Sequence, residues 1–391
     1  MQYRTFGNLE WKPSALGFGA MRLPTISERR DGVSTHQMSD IDEPHAIELI
    51  RAAIDGSINY LDTARPYHNG QSEVVVGKAL RDGYRERIKL ATKLTLSHIE
   101  SSEAFDPFLD GQLERLQTDH IDFYLLHALN APNWTKVQEL DVLAWAESAI
   151  SDGRIRHLGF SFHDEYPVFK EIVEAYDWTF CQIIANYMDV EFQAGLRGLE
   201  LAASRGIAVS IMEPLRGGQL ARTPPPTVEA VWSEIEDRRM PADRSLQWLW
   251  NRPEVSIVLS GMSTMEQLEE NLASADRSAI GSLSREELAV YDRARVAYHA
   301  LNPIPCTDCK YCQPCPQGVD IPLAFSIYNE KVIYGESAGG FTAFADYCTM
   351  RSGANRCVAC GQCEEVCPQQ IPIIEWLAKV SDFFGLERTA E

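Results

Sequence analysis

The sequence predicts a (β/α)8 barrel followed by a small, mostly α-helical domain rich in cysteine. Three observations carry this expectation. Short apolar runs alternate with longer amphipathic stretches from residue 15 to about 275, eight times over. The short runs are mostly apolar and not strictly alternating, which fits a parallel sheet covered on both faces. Eight of the 10 cysteines then fall in two tight runs near the C-terminus.

Met1–Glu10, with Gly7-Asn8, reads as a hairpin plugging the bottom of the barrel. The candidate strands are Ala15–Gly19, Ile58–Leu61, Ile88–Thr92, Ile121–Leu126, Ile155–Phe160, Phe180–Ala185, Ala208–Met212 and Val255–Leu259. Helical patterns lie between them at Pro44–Asp55, Ser72–Arg81, Phe105–Leu116, Val137–Ser151, Pro167–Tyr176, Gly195–Arg205, Ala242–Trp250 and Met265–Ser274. Right-handed crossovers close such a series into a barrel. Pro24–Glu43 is polar and reads as a surface loop after the first strand, and Pro224-Pro225-Pro226 interrupts the chain before the seventh helical layer. Trp232, Trp248 and Trp250 are expected to pack against the barrel. A last helix, Arg285–His299, ends near Asn302-Pro303-Ile304-Pro305. The boundary is placed there, giving a barrel at 1–300 and a cysteine-rich domain at 301–391.

The second cysteine run is Cys357-x2-Cys360-x2-Cys363-x3-Cys367-Pro368. This is the bacterial iron–sulfur spacing, in which three thiolates hold one cubane and the fourth reaches a second. The first run, Cys306-x2-Cys309-x2-Cys312-x2-Cys315-Pro316, is its partner with one residue fewer, and both end in Cys-Pro-Gln. Two-residue gaps let successive cysteines wrap a cubane, and the following proline fixes the exit direction. Exchange of the fourth ligands puts Cys306, Cys309, Cys312 and Cys367 on one [4Fe–4S] cluster, and Cys357, Cys360, Cys363 and Cys315 on the other. The insert from Leu323 to Arg356 is helix-friendly, which points to an α-helical two-cluster module. Zinc is the competing metal, but its four-cysteine sites rarely need a third and fourth cysteine so close. Cys181 and Cys348 lie outside the runs and read as small packed hydrophobes.

At 391 residues and 45% hydrophobic, the chain can bury one large core and one small one. It has no apolar stretch of about 18 residues, so no membrane span is expected. A formal charge of −20 argues against nucleic acid, whose phosphates need clustered Lys and Arg. The absence of a secretory apolar segment argues against disulfides and for the cytoplasm.

In a barrel of this kind the chemistry sits at the C-terminal ends of the strands. Asp62 and Tyr67 follow the second strand, Lys93 ends the third and His127 ends the fourth. Each has a physical role in carbonyl reduction. Tyr67 can give a proton to the oxygen of a ketone or aldehyde. A nearby ammonium, Lys93, is expected to lower the tyrosine's pKa from about 10. Asp62 would keep a partly buried Lys93 charged, and neutral His127 can orient the carbonyl oxygen.

On these residues the chain resembles the aldo-keto reductase family over about residues 1–300. The matching stretches are Leu61-Asp62-Thr63-Ala64-Arg65-Pro66-Tyr67, Ala91-Thr92-Lys93, Asp122-Phe123-Tyr124-Leu125-Leu126-His127, Gly159-Phe160-Ser161, Gln182 through Asn186-Tyr187, and Ser260-Gly261-Met262 through Glu270-Asn271-Leu272. With the cysteine runs attached, it is similar to the subgroup that carries a C-terminal ferredoxin-like domain. The resemblance implies NADP or NAD laid over the barrel mouth, beside a small carbonyl or alcohol substrate. Ser161 and Gln182 would hold the carboxamide, residues 213–218 the pyrophosphate, and Glu270 and Asn271 the adenine end. Ser260 would line the same groove.

The family pattern is broken in three places. Met212, ahead of Glu213-Pro214-Leu215, stands where many members stack an aromatic ring on the nicotinamide. Phe162 and His163 follow Ser161 where an Asn commonly touches the carboxamide. Gly261 and Gln267 stand where a Lys and an Arg usually grip the 2′-phosphate of NADPH, so NADP is not favoured over NAD. Gly217-Gly218 can let backbone approach a pyrophosphate or serve merely as a flexible turn. Trp134 can wall the substrate pocket or anchor a loop, and His68 and His163 can reach substrate or solvent.

A nicotinamide gives two electrons as one hydride, whereas a cubane accepts one, and no flavin site is recognisable between them. Three readings follow. The leading one is a carbonyl oxidoreductase whose clusters are structural, sensory or a docking point. The others are an electron-transfer protein serving a redox protein partner, and a nucleotide-binding redox sensor.

Overall fold

The computed structural model describes residues 1–26, 40–236, 239–301, 304–334 and 353–386. It contains two compact units. The first holds described residues 1–26, 40–215 and 239–284; the second holds 216–236, 285–301, 304–334 and 353–386. The units are therefore interleaved along the chain.

The first unit is a closed barrel of eight parallel strands. They are β1 (Leu16–Gly19), β2 (Tyr60–Asp62), β3 (Lys89–Leu94), β4 (Ile121–Leu129), β5 (Ile155–Phe162), β6 (Phe180–Ile184), β7 (Ala208–Met212) and β8 (Val255–Ser260). Each pairs with the next, and β8 returns to β1 through Leu16 and Val258. The N-terminal segment closes the bottom. Isolated bridges join Tyr3 to Ser14 and Phe6 to Leu9. Phe6 is fully buried, with its ring centre 4.9 Å from Phe123 and 5.8 Å from Phe180, residues near the N-terminal ends of their strands. Wedged aromatics at this end leave the opposite rim for chemistry.

Most helices lie where periodicity places them. α1 (Glu43–Asp55) starts on Asp42, whose side chain accepts from the His45 N–H. It is followed by α2 (Gln71–Ala79) and α3 (Phe105–Leu116). The single helix expected at Val137–Ser151 is instead two, α4 (Ala131–Glu139) and α5 (Val142–Ser151). Asp141 breaks them with φ 52, a left-handed conformation that aspartate tolerates better than most residues. α6 (Tyr166–Ala175) and α7 (Gly195–Ser204) follow, and α8 (Pro226–Trp232) begins on the last of the three prolines, where a missing N–H costs nothing. α9 (Pro241–Trp250) and α10 (Met265–Asp276) are the first unit's last helices, whereas α8 falls in the second unit. Trp250 is buried and donates from Nε1 to the Ala15 carbonyl at 2.9 Å.

In the second unit, α11 (Arg285–Ala300) packs on α8 through Tyr291 and Trp232, ring centres 4.9 Å apart. Trp232, expected to pack against the barrel, falls in this unit, where its ring meets Tyr291. α12 (Ile321–Tyr334) packs on a terminal helix, Ile373–Phe383, with Tyr328 and Trp376 5.7 Å apart. Ile304, Val319, Ile321, Phe325, Ile371 and Leu377 form its apolar core. Cys181 is buried in β6; Cys348 and most of the Pro24–Glu43 loop lie outside the described residues.

Candidate active site and cluster sites

Asp62 ends β2, Lys93 lies one residue from the end of β3, and Tyr67 opens a short turn, Tyr67–Gly70. In that turn His68 and Asn69 have φ 49 and 53 and Gly70 has φ 88, and a Cβ on Gly70 would collide with the Arg65 guanidinium. Thr63 Oγ1 lies 2.9 Å from Ser72 Oγ, which donates to the Ala20 carbonyl, so the turn is tied to β1 and β2. His127 sits where the β4–β5 register shifts between Leu126 and Leu129. Bulges of this kind re-aim side chains near active sites.

These four side chains converge. Lys93 Nζ donates to Asp62 Oδ1 at 2.5 Å, to the Thr63 carbonyl at 2.9 Å and to the Tyr67 hydroxyl oxygen at 3.1 Å. The Tyr67 and His127 rings meet edge to face, centres 6.1 Å apart. Lys93 is completely buried, beyond the partial burial expected for it. Burial lowers its pKa and raises that of Asp62, and each ion opposes the shift of the other. Burial, then Asp62 and Glu213, holds the Tyr67 hydroxyl well above the ordinary tyrosine range. The expected lowering by Lys93 is therefore overturned, because desolvation of a phenolate outweighs one ammonium. Tyr67 stays protonated. Burial, with Lys93 beside it, pushes His127 well below the usual histidine range, so its ring stays neutral.

Sequence reasoning missed the support behind Lys93. Glu73, fully buried on α2, accepts from Thr92 Oγ1, Gln112 Nε2 and Arg115 Nε, each at 2.7 Å. Gln112 also donates to the Lys93 carbonyl at 3.0 Å and accepts from the Tyr124 hydroxyl. A signal existed: Gln112 interrupts the buried stripe Phe105, Leu109 and Leu116 of α3. A polar residue at a core position needs satisfied partners.

Of the expected cofactor residues, Ser161 on β5 pairs with Gln182 on β6, and Ile184 pairs with Met212 at the end of β7. Gln182 is 3% exposed. Its Nε2 lies 3.7 Å from Met212 Sδ, and its Oε1 is buried with no hydrogen-bond partner. An orphaned buried amide oxygen fits a site built for a carboxamide donor. Ser161 Oγ accepts from the Ala128 N–H. At β8 and α10, Asn271 donates to Ser260 Oγ at 3.1 Å. Gln267 Oε1 accepts from the Ser263 N–H at 2.8 Å, and Glu270 is exposed. A Cβ on Gly261 would meet the Arg22 stem at 3.2 Å. Pro214 is held by a bond from Ser245 Oγ to its carbonyl, and Leu215 is half-buried. Gly217 belongs to the second unit.

Phe162 turns outward onto Phe169, ring centres 5.0 Å apart. Trp134 is an anchor: it is buried and donates to Glu171 at 3.0 Å. His68 is buried and accepts from the Leu23 N–H. Burial pushes His163 down to about 4, against a bond to Gln193 that raises it.

In the second unit, Cys306, Cys309, Cys312 and Cys367 line one cavity with Ile321, Phe325 and Ile373. Cys363 lies beside Cys357 and Cys360, and burial pushes its thiol up to about 11. Cys315 and Cys357 pack against the same apolar core. Cys360 is exposed. The two runs share a backbone pattern: positive φ falls at Asp308 (55) and Lys310 (62), and at Ala359 (56) and Gly361 (85). Both pairs stand two and four residues after the first cysteine of their run, so the loops wrap alike. Among the described residues no three His, Cys, Asp or Glu side chains form a cage for a single metal ion. Four soft thiolate donors around an apolar cavity fit a cubane.

Comparison with known proteins agrees with this architecture. The aldo/keto reductase family model matches residues 15–293, and a 4Fe-4S dicluster domain matches residues 305–371. An NADH-specific methylglyoxal reductase from Escherichia coli is 26% identical over 65% of this chain and 90% of that protein. L-Galactose dehydrogenase from Arabidopsis thaliana is 25% identical over 74% of this chain and 92% of that protein. Among solved structures, aldo-keto reductase AKR11C1 from Bacillus halodurans, in its holo form, aligns with a TM-score of 0.62 at 25% identity. That alignment covers 75% of this chain and 96% of that chain. A Klebsiella pneumoniae aldo-keto reductase in complex with NADPH aligns with a TM-score of 0.57 at 25% identity, over 75% of this chain and 95% of that chain. No described helix is long and apolar enough to cross a membrane. The barrel, its strand-end residues and the paired cysteine runs thus place this chain in the aldo/keto reductase family, with a C-terminal 4Fe-4S dicluster domain.

Proposed function

We propose that the chain reduces an aldehyde or ketone, or oxidises the corresponding alcohol, with NAD(P) as its cofactor and Tyr67 as proton donor. The observation that supports this most is the set of three bonds from buried Lys93 to Asp62, Thr63 and Tyr67. A bound nicotinamide supplies or accepts the hydride. Tyr67, kept protonated by burial, gives its proton to the carbonyl oxygen as charge develops there. Lys93, 3.1 Å from the hydroxyl oxygen, stabilises the phenolate left behind. Asp62 balances the buried ammonium. Neutral His127 hydrogen-bonds the carbonyl oxygen and orients it without competing for the proton. Gln182, Ser161 and Met212 would hold the nicotinamide end of the cofactor, and Pro214, Leu215, Ser260 and Asn271 would line the rest of its groove.

In this reading residues 1–300 carry the reduction and 301–391 hold two [4Fe–4S] clusters. Cys306, Cys309, Cys312 and Cys367 bind one; Cys315, Cys357, Cys360 and Cys363 bind the other. A second reading, electron transfer to a redox protein, draws support from the exposed Cys360.

One anaerobic experiment separates the two. Cluster-loaded protein receives NADPH, then NADH, with and without a panel of small carbonyls. Under the first reading nucleotide is oxidised only when a carbonyl is present, and cluster absorbance is unchanged. Bleaching by nucleotide alone, on a catalytic timescale, would replace it with the second.

A further inference from the structure

Two neighbouring residues in the first turn of α2, Ser72 and Glu73, are fully buried, and each reaches Lys93 through intermediaries. Ser72 Oγ lies 2.9 Å from Thr63 Oγ1, and the Thr63 carbonyl accepts from Lys93 Nζ at 2.9 Å. Glu73 works from the other end of the same residue. Its Oε1 accepts from Thr92 Oγ1 and from Gln112 Nε2, each at 2.7 Å. Gln112 Nε2 is shared with the Lys93 carbonyl at 3.0 Å and with Thr92 Oγ1 at 3.2 Å. The Tyr124 hydroxyl fixes that amide by donating to its Oε1 at 2.7 Å. The start of α2 therefore grips Lys93 both at its ammonium and at its backbone.

Stability alone does not call for this arrangement. Arg115 Nε donates to Glu73 Oε2 at 2.7 Å, but the Arg115 side chain is 25% exposed and the carboxylate fully buried. Taking a carboxylate out of water is costly, and apolar residues of similar volume often serve a fold as well or better. What the carboxylate supplies is direction and charge. It aims at Thr92 and Lys93 on β3, and after Asp62 it is the acid that favours the charged form of Lys93 against burial. The other titratable groups facing Lys93 are the Tyr67 hydroxyl and His127, which stays neutral. Arg115 and Tyr124 stand behind Glu73 and Gln112.

We propose that Glu73, acting through Thr92, Gln112 and Lys93, is a positioning residue for the reaction and holds the ammonium on the Tyr67 hydroxyl. The proposal rests on the reading of Tyr67 as proton donor. A displacement of about 1 Å at a reacting group can cost about a hundredfold in rate. The 3.1 Å contact from Lys93 Nζ to Tyr67 needs a backing of this kind.

The test uses the full, cluster-loaded chain and follows single-turnover carbonyl reduction against pH, with denaturant midpoints and nucleotide Kd measured alongside. Glu73→Gln keeps the volume and removes the charge. It should slow reduction by about ten- to a hundredfold with nucleotide Kd unchanged. Tyr67 is held well above its ordinary range, so the alkaline limb belongs to Lys93. Without the Glu73 carboxylate the ammonium is lost sooner as pH rises, and that limb should move to lower pH. Gln112→Met leaves the charge in place and removes the bond to the Lys93 carbonyl. It should slow reduction by about tenfold with the limb where it was. A role in stability alone would lower the denaturant midpoint and leave both the rate and the limb at wild-type values; that result in the two variants would overturn the positioning role. Reduction by Tyr67→Phe at the wild-type rate would instead overturn the proton-donor reading, and the positioning role with it.

Discussion

Lys93 Nζ donates to the Tyr67 hydroxyl oxygen at 3.1 Å and lies 4.8 Å from the centre of the same ring. Its other two bonds go to Asp62 and the Thr63 carbonyl, so all three ammonium protons are used. Breaking a buried pair from one side leaves an uncompensated charge, at about 3–5 kcal/mol. Lys93→Met should therefore destabilise the barrel by that order and lower carbonyl reduction at least a hundredfold. Adding Asp62→Asn should restore part of the stability and none of the rate. Denaturant midpoints and single-turnover rates measured on both variants check this; recovery of rate in the double variant would show that the lysine is merely structural.

Gln182 carries the opposite trade. Its buried Oε1 has no partner, which costs free energy in the resting protein. Gln182→Leu should stabilise the chain by about 1 kcal/mol while weakening nicotinamide binding by about tenfold. Thermal unfolding and nucleotide titration measured together decide it. A variant that loses stability and keeps its affinity would remove Gln182 from the cofactor site.

The cysteine runs predict exchanged ligands. Cys367, late in the second run, lines the cavity of Cys306, Cys309 and Cys312. Cys367→Ser should disturb the same cluster signal as Cys306→Ser in electron paramagnetic resonance, whereas Cys360→Ser should disturb the other. Each should lower the iron content. If Cys367→Ser and Cys360→Ser alter one and the same signal, the exchange is wrong.

Acid stability should follow His163 and His127. Burial lowers His163 from 6.5 to about 4 in the folded chain. The unfolded chain takes up the proton first as pH falls below 6.5, so stability is full above that value and is lost down to about 4. Between pH 7 and 5 this amounts to about 2 kcal/mol, and His127, lowered well below its usual range, adds in the same direction. His163→Asn should remove about that much of the pH dependence, read from denaturant unfolding at the two pH values. An unchanged slope would contradict it.

Much of the fold was legible because apolar runs and their strand-end polar residues are local signals. Asp62, Tyr67, Lys93 and His127 could be placed on one rim from the strand pattern alone. The break at Asp141 was not legible, because a left-handed aspartate leaves no mark in apolar periodicity. Neither was the buttress of Glu73, Gln112 and Arg115, which joins α2 and α3 across more than 35 residues of sequence. The ionisation of Tyr67 departs from the sequence expectation for a physical reason: charge proximity can be read from neighbours, but burial depth cannot. Trp232 and the Arg216–Ala221 turn fall in the second unit although they precede β8 in the chain, and such interleaving has no sequence signature.

The central claim is tested most directly by Tyr67→Phe, assayed for carbonyl reduction in a single turnover with nucleotide affinity measured alongside. General acid catalysis contributes roughly 10²–10⁴-fold. The account predicts a loss of that size with the nucleotide Kd within about twofold of wild type. Reduction at a comparable rate without the hydroxyl would contradict it.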